Sequence, residues 1–142
     1  MPTEADMIAV YWDTSAVLSA LFADQHSPCA QDWAKRAGFH FLSTLAYAET
    51  CAVIARIGRE RMLADILVEA ALVAFLEGPW RRVISQPEWN LMRGLSKKWP
   101  LRGADLWHLA MAKSLQIQMP ELVLLTFDNK LAVAAHGENL RA

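Results

Sequence analysis

A chain of 142 residues, 54% hydrophobic and 20% charged, is too apolar to stay disordered and long enough to bury one sizeable core, so a single domain is expected. Its longest uninterrupted apolar run, residues 70–76, falls far short of the roughly 20 residues that a membrane-spanning helix needs. The net charge of −1 does not by itself suggest a nucleic-acid partner, but residues 51–102 hold 9 basic and 5 acidic side chains while residues 1–50 hold 2 and 6. Glu4 and Asp6 stand where a secretory signal would carry Lys or Arg, and the apolar stretch behind them runs into Asp13 rather than to a cleavage site, so a cytoplasmic protein is expected.

Residues 8–12 form a short apolar run suited to a strand. Asp13, Thr14 and Ser15 then supply capping chemistry before the apolar residues 16–22, which predicts strand, turn and helix. After a polar break, Pro28 is placed to open a second helix and Gly38 to close it. Residues 40–42 read as a second strand, and Ser43 or Thr44 can cap a helix over residues 45–57 that Gly58 stops. Residues 60–77 carry Met62, Ile66, Leu67, Ala70, Val73 and Ala74 at helical spacing and end at Gly78-Pro79. Residues 82–85 suggest a third strand, and Pro87 opens a helix that ends before Pro100. Gly103 precedes a helix that carries Asp105 and reaches about Gln116. Residues 122–127 are the clearest strand, followed by a last helix over residues 128–135 with Gly137 as its cap. The tail from residue 139 is too short to assign.

Short apolar strands alternating with helices imply an α/β fold, with a central, mostly parallel sheet of four or five strands and helices on both faces. Ligands of such sheets bind beyond the carboxyl ends of the strands, where Asp13 and Asp128 fall. Cys29 and Cys51 have neither metal-ligand spacing nor the density of a disulfide scaffold, and both are expected as buried, reduced thiols.

Four acids sit in apolar surroundings: Asp13, Glu49, Asp105 and Asp128. Helix capping explains each Asp taken singly, because a carboxylate near a helix start satisfies free amides. Glu49 is harder to explain, since residues 45–55 are apolar almost all round. Brought together, four carboxylates repel one another unless cations neutralise them, and an oxygen-rich, histidine-poor set suits Mg²⁺ or Mn²⁺. Thr14, Ser15 and Thr126 flank the acids and are candidates to fix their rotamers, although local capping accounts for them nearly as well. His108, three positions after Asp105, reads more simply as a core histidine than as a ligand. Arg56, Arg59 and Arg102 are candidate contacts to a phosphate backbone. Trp80, Trp89 and Trp99 are candidate interface anchors, with burial in the core as the simpler reading of each. A phosphatase with Asp13 as nucleophile would want a second acid two positions on, where Ser15 stands.

Asp13-Thr14-Ser15-Ala16, the helical Glu49, the run from Ala104 to Ala110 and Thr126-Phe127-Asp128 together resemble the PIN-domain nucleases, and the length resembles the VapC-type toxins of toxin–antitoxin pairs. The resemblance implies a three-layer fold and a metal-dependent endoribonuclease in which Asp13, Glu49, Asp105 and Asp128 hold Mg²⁺ or Mn²⁺ and an activated water cuts RNA to leave a 5′-phosphate. It also implies a cognate antitoxin partner and a homodimer. The family's sheet ends in a strand after the last helix, for which only residues 139–142 remain, so that edge is expected short or absent. The competing reading is a catalytically silent PIN-like module that acts through a protein or RNA partner.

Overall fold

The computed structural model describes Thr3 and residues 7–142; Glu4 and Asp6, which bear on the secretory reading, lie outside the described residues. β1 (Ile8–Trp12) is apolar throughout and its last four residues are buried, as a strand covered on both faces must be. It lies inside a four-stranded sheet of order β3-β2-β1-β4, between β2 (Gly38–Ser43) and β4 (Val123–Leu125), with β3 (Trp80–Val83) at one edge. All three pairings are parallel, and Trp12 lies opposite both Leu42 and Leu125, so the central strands end level.

The two-residue period of the strands divides the core into two layers. Ala9, Tyr11 and Leu124 pack with Leu95 of α5 (Trp89–Lys98), Leu109 and Met111 of α6 (Gly103–Gln116) and Leu131 of α7 (Asn129–Gly137). Val10, Trp12, Leu42 and Leu125 pack instead with Val17 of α1 (Thr14–Leu21), Ala30 of α2 (Ser27–Lys35), Ile54 of α3 (Thr44–Arg59) and Phe75 of α4 (Asp65–Glu77). The expected three-layer α/β arrangement is therefore present. Three helices start beside strand ends, each capped by a side-chain oxygen: Asp13 accepts from the Ala16 amide at 2.9 Å, Ser43 from Ala46 at 3.1 Å and Asp128 from Leu131 at 2.9 Å.

Two of the glycines read as helix stops, Gly58 and Gly137, are taken into their helices. α3 runs to Arg59 and closes with Met62 N–H donating to the Ile57 carbonyl and Arg61 N–H to that of Gly58, with Arg61 at φ 53°. α7 ends the same way: Leu140 N–H donates to Ala135, Asn139 N–H to His136, and Asn139 lies at φ 64°. These are Schellman closures with a non-glycine residue in the left-handed position. Gly137 serves a different need, since a Cβ there would lie 2.2 Å from the Trp99 ring.

The turn after α3 also breaks the expected helix over residues 60–77, which begins only at Asp65. The third strand lies two residues earlier than expected, at Trp80–Val83, because its register is set by pairing from His40↔Trp80 to Ser43↔Val83. The last strand is shorter than its apolar run, since Thr126 and Phe127 leave the ladder to bond side chains near Asp13. The final edge shrinks to a single parallel bridge, Val123↔Arg141. Cys29 is exposed and Cys51 half-buried, so neither thiol is the buried one expected; Cys29 lies on the outward side of a short surface helix whose inward residues are Ser27 and Ala30. Trp80 packs edge-on against Trp12 and Trp99 against the α6 layer, whereas Trp89 is 81% exposed. Among the described residues no helix is long and apolar enough to cross a membrane.

Gly38 sets where β2 begins beside β1. It adopts φ +143°, and a Cβ there would lie 2.1 Å from the Ile8 carbonyl oxygen. Gly38→Ala is expected to destabilise the fold by at least about 2 kcal/mol, read as a lower urea midpoint with an unchanged slope.

Candidate active site

Level strand ends put several polar side chains on one edge. Asp13 directly follows β1, Glu49 lies in the second turn of α3 after β2, Asp105 is the third residue of α6, and Asp128 caps α7 just beyond β4. All four acids line one small cleft of about 110 Å³, together with Thr14, Ser15, Ala104 and His108.

Asp13 is 3% exposed and closely held. Its Oδ1 accepts from the Ser15 hydroxyl at 2.7 Å and the Ala16 amide at 2.9 Å, and its Oδ2 from the Thr126 hydroxyl at 2.5 Å. Both hydroxyls also accept, Ser15 from the Phe127 amide and Thr126 from the Asp128 amide, so the ends of β1 and β4 are tied through one carboxylate. Burial still outweighs these donors and, with the charge of Asp105 adding to it, pushes the Asp13 carboxyl up to about 6.

The other acids are held less tightly. Glu49 is 38% exposed, and its Oε1 accepts from the Thr14 hydroxyl at 2.7 Å. Asp128 spends Oδ1 on its cap, and Oδ2 takes no hydrogen bond from the described residues. Asp105 takes none at either oxygen: α6 is capped at Arg102, without a side-chain bond, so the capping explanation fails for this Asp. Burial raises its pKa first, then the charges of Asp128 and Glu49, against an opposing pull from Arg102. The cleft thus gathers carboxylates that raise one another's pKa, with Arg102 offsetting part of the charge at Asp105.

A second cavity of about 420 Å³ adjoins the first, sharing Asp105 and Asp128 and adding Arg102, Asn129 and Lys130. Of the three arginines singled out in the sequence, only Arg102 reaches this region. Arg56 and Arg59 lie in the last turn of α3 and line neither cavity. Lys130 carried no signal in the sequence beyond its position two residues after Asp128. Tyr11 was missed as well, although the strand period puts it on the same side as Asp13; its hydroxyl lies 2.6 Å from His108 Nδ1. His108 is buried, but against side chains rather than the backbone carbonyl expected of a core histidine, and burial depresses its pKa.

The raised Asp13 pKa has a cost in stability. Between the ordinary value of 3.8 and about 6 the folded chain binds a proton that the unfolded chain has released, so stability falls as pH rises through that window. Without added metal, Asp13→Asn is expected to be more stable than the wild type at pH 8, by about 1–3 kcal/mol, with the gap closing below about pH 4. Urea unfolding at the two pH values checks this.

The sequence matches the PIN domain family over residues 10–137. The fold is similar to the crystal structure of VapC20 from Mycobacterium tuberculosis, a sarcin–ricin loop cleaving toxin, with a TM-score of 0.59 and 17% identity over 89% of this chain and 95% of that one. It is also similar to PAE2754 from Pyrobaculum aerophilum, with a TM-score of 0.63 and 16% identity over 94% of this chain and 88% of that one. Among curated proteins no match is found. The structural likenesses concern the fold alone; the family match takes in all four acids of the cleft and all of the sheet but the first two residues of β1, and by it this chain belongs to the PIN-domain family.

Proposed function

We propose that this chain is a divalent-metal-dependent endoribonuclease, the toxin of a toxin–antitoxin pair acting in the cytoplasm. The observation that carries the reading is the set of four acids around a cleft of about 110 Å³, where burial and neighbouring carboxylates raise the pKa of both Asp13 and Asp105. The family and the VapC likeness support a nuclease and a toxin's protein partner; the metal and the residue roles are inferred from the chemistry of the cleft.

The donor set fits a hard cation. Asp105 and Asp128 Oδ2 have lone pairs that no described residue uses, and Glu49 Oε2 is equally open. Among the described residues no three His, Cys, Asp or Glu side chains form a ready-made ligand cage. The open donors are carboxylate oxygens, which suit Mg²⁺ or Mn²⁺, ions that retain water in their shells and bind through few carboxylates, rather than a zinc site. Such a cation supplies Lewis acidity, lowering the pKa of an attacking water and offsetting the charge that gathers on the phosphate.

The protein's own residues do the remaining work. Asp13, Glu49, Asp105 and Asp128 bind and orient the cation, with Thr14, Ser15 and Thr126 holding two of those acids in place by hydrogen bonds. Arg102 and Lys130, on the adjoining cavity, receive a neighbouring backbone phosphate and keep the RNA in register beside the acids. The exposed apolar residues of α4, Ile66 at 77% and Leu67 at 53%, support a protein partner, either the antitoxin or a second copy.

Purified protein is expected to cut cellular RNA with Mg²⁺ or Mn²⁺ and not with chelator, and Asp13→Asn or Asp105→Asn to lower the rate at least about 100-fold. A folded, cation-binding wild type that cuts no RNA would favour the silent binding module instead. Arg102→Ala and Lys130→Ala are expected to weaken RNA binding across sequences and each to flatten the log–log salt dependence by about 0.7. Binding titrations on a single-stranded RNA at several salt concentrations check it.

A further inference from the structure

A buried line of polar contacts runs from Tyr11 through His108 to Thr14 and Glu49 at the edge of the cleft. The Tyr11 hydroxyl lies 2.6 Å from His108 Nδ1, and with the phenol as donor the neutral imidazole carries its proton on Nε2. That nitrogen faces Glu49 Oε1 at 3.6 Å and the Thr14 hydroxyl at 3.5 Å, and Thr14 donates to the same Glu49 oxygen.

His40 shows what a purely structural histidine looks like in this fold. It is equally buried, takes a bond from Trp12 Nε1 at 3.0 Å, meets the Arg36 carbonyl at 2.8 Å and pairs with no acid among the described residues. His108 differs in that its second nitrogen is turned to a cleft carboxylate. Glu49 needs such help, because it is half-exposed on a helix and Thr14 is its one hydrogen-bonded anchor among the described residues.

We infer that Tyr11 and His108 are positioning residues that hold Glu49 Oε1 with Thr14 and so leave Oε2 aimed for a divalent cation. The inference rests on the metal reading above. It assigns no step of bond making to either residue; their effect is on the orientation of a ligand, and therefore on cation affinity.

The test is Mg²⁺ binding by calorimetry, without RNA, on wild type, His108→Leu, His108→Gln and Tyr11→Phe, together with ¹⁵N shifts of the His108 ring at pH 7.5. The wild-type ring is expected to be protonated at Nε2 and bare at Nδ1. His108→Leu keeps the volume but not the donor and is expected to weaken Mg²⁺ binding about 10- to 100-fold. His108→Gln restores an N–H near the Nε2 position and is expected to stay within about 3-fold of wild type, with Tyr11→Phe between the two. Leu binding as tightly as wild type, or Gln as weakly as Leu, overturns the inference while the metal reading stands. If His108→Leu fails to fold, Tyr11→Phe and the ring shifts decide, and a wild-type proton on Nδ1 overturns it. A folded wild type that binds no Mg²⁺ overturns the metal reading and this inference together.

Discussion

The buried carboxylate of Asp13 is the constraint on which the rest of the cleft depends. A charge at 3% exposure is costly, and three hydrogen bonds reduce that cost without cancelling it. Those same bonds dictate local structure. Ser15 and Thr126 turn toward Asp13, Phe127 and Asp128 follow through their amides, and β4 stops after Leu125 because its successors bond the acid instead of the ladder. The short strand and the placement of Asp128 are thus consequences of satisfying one oxygen pair.

The sequence offered helix capping and site chemistry as rival explanations of the three Asp residues. For Asp13 and Asp128 they are compatible, because a carboxylate has two oxygens. In Asp128 one oxygen caps α7 and the other is left to the cleft. In Asp13 one oxygen takes the cap and the Ser15 bond, and the other takes a single hydroxyl, which leaves a lone pair in hand. Capping therefore fixes the rotamer that the site uses. Asp105 separates the two ideas, since it caps nothing and has no hydrogen-bonded partner among the described residues.

What was legible in the sequence follows from range. The parallel sheet, the helices on both its faces and the placement of Asp13 and Asp128 at its carboxyl edge were readable, because apolar period and chain order largely determine them, whereas Glu49 and Asp105 were joined to that edge by the family resemblance. The helix ends were misjudged at Gly58 and Gly137, where a local glycine signal lost to closures carried by Arg61 and Asn139. Gly137 answers to Trp99, a neighbour 38 positions away that no local rule could supply. The Tyr11–His108 contact spans 97 positions and was invisible for the same reason. Exposure of Cys29 was missed because a thiol carries no period of its own on a short surface helix.

The four acids differ in how firmly they are held, and the difference follows their position in the fold. Asp13 ends a central strand, where neighbours on both sides supply donors; Asp105 and Glu49 stand on helices that pack against the sheet from opposite layers. Two layers can shift slightly relative to each other at less cost than two hydrogen-bonded strands. Any contact that crosses between the layers at this edge therefore constrains the cleft more than its own strength suggests. Thr14 to Glu49 links α1 to α3 within one layer, whereas His108 brings α6, from the opposite layer, against both of them at the strand ends. That is why a contact as long as 3.6 Å at this place bears on geometry: it ties the helix of Asp105 to the helix of Glu49, the two acids whose charges already act on each other across the cleft.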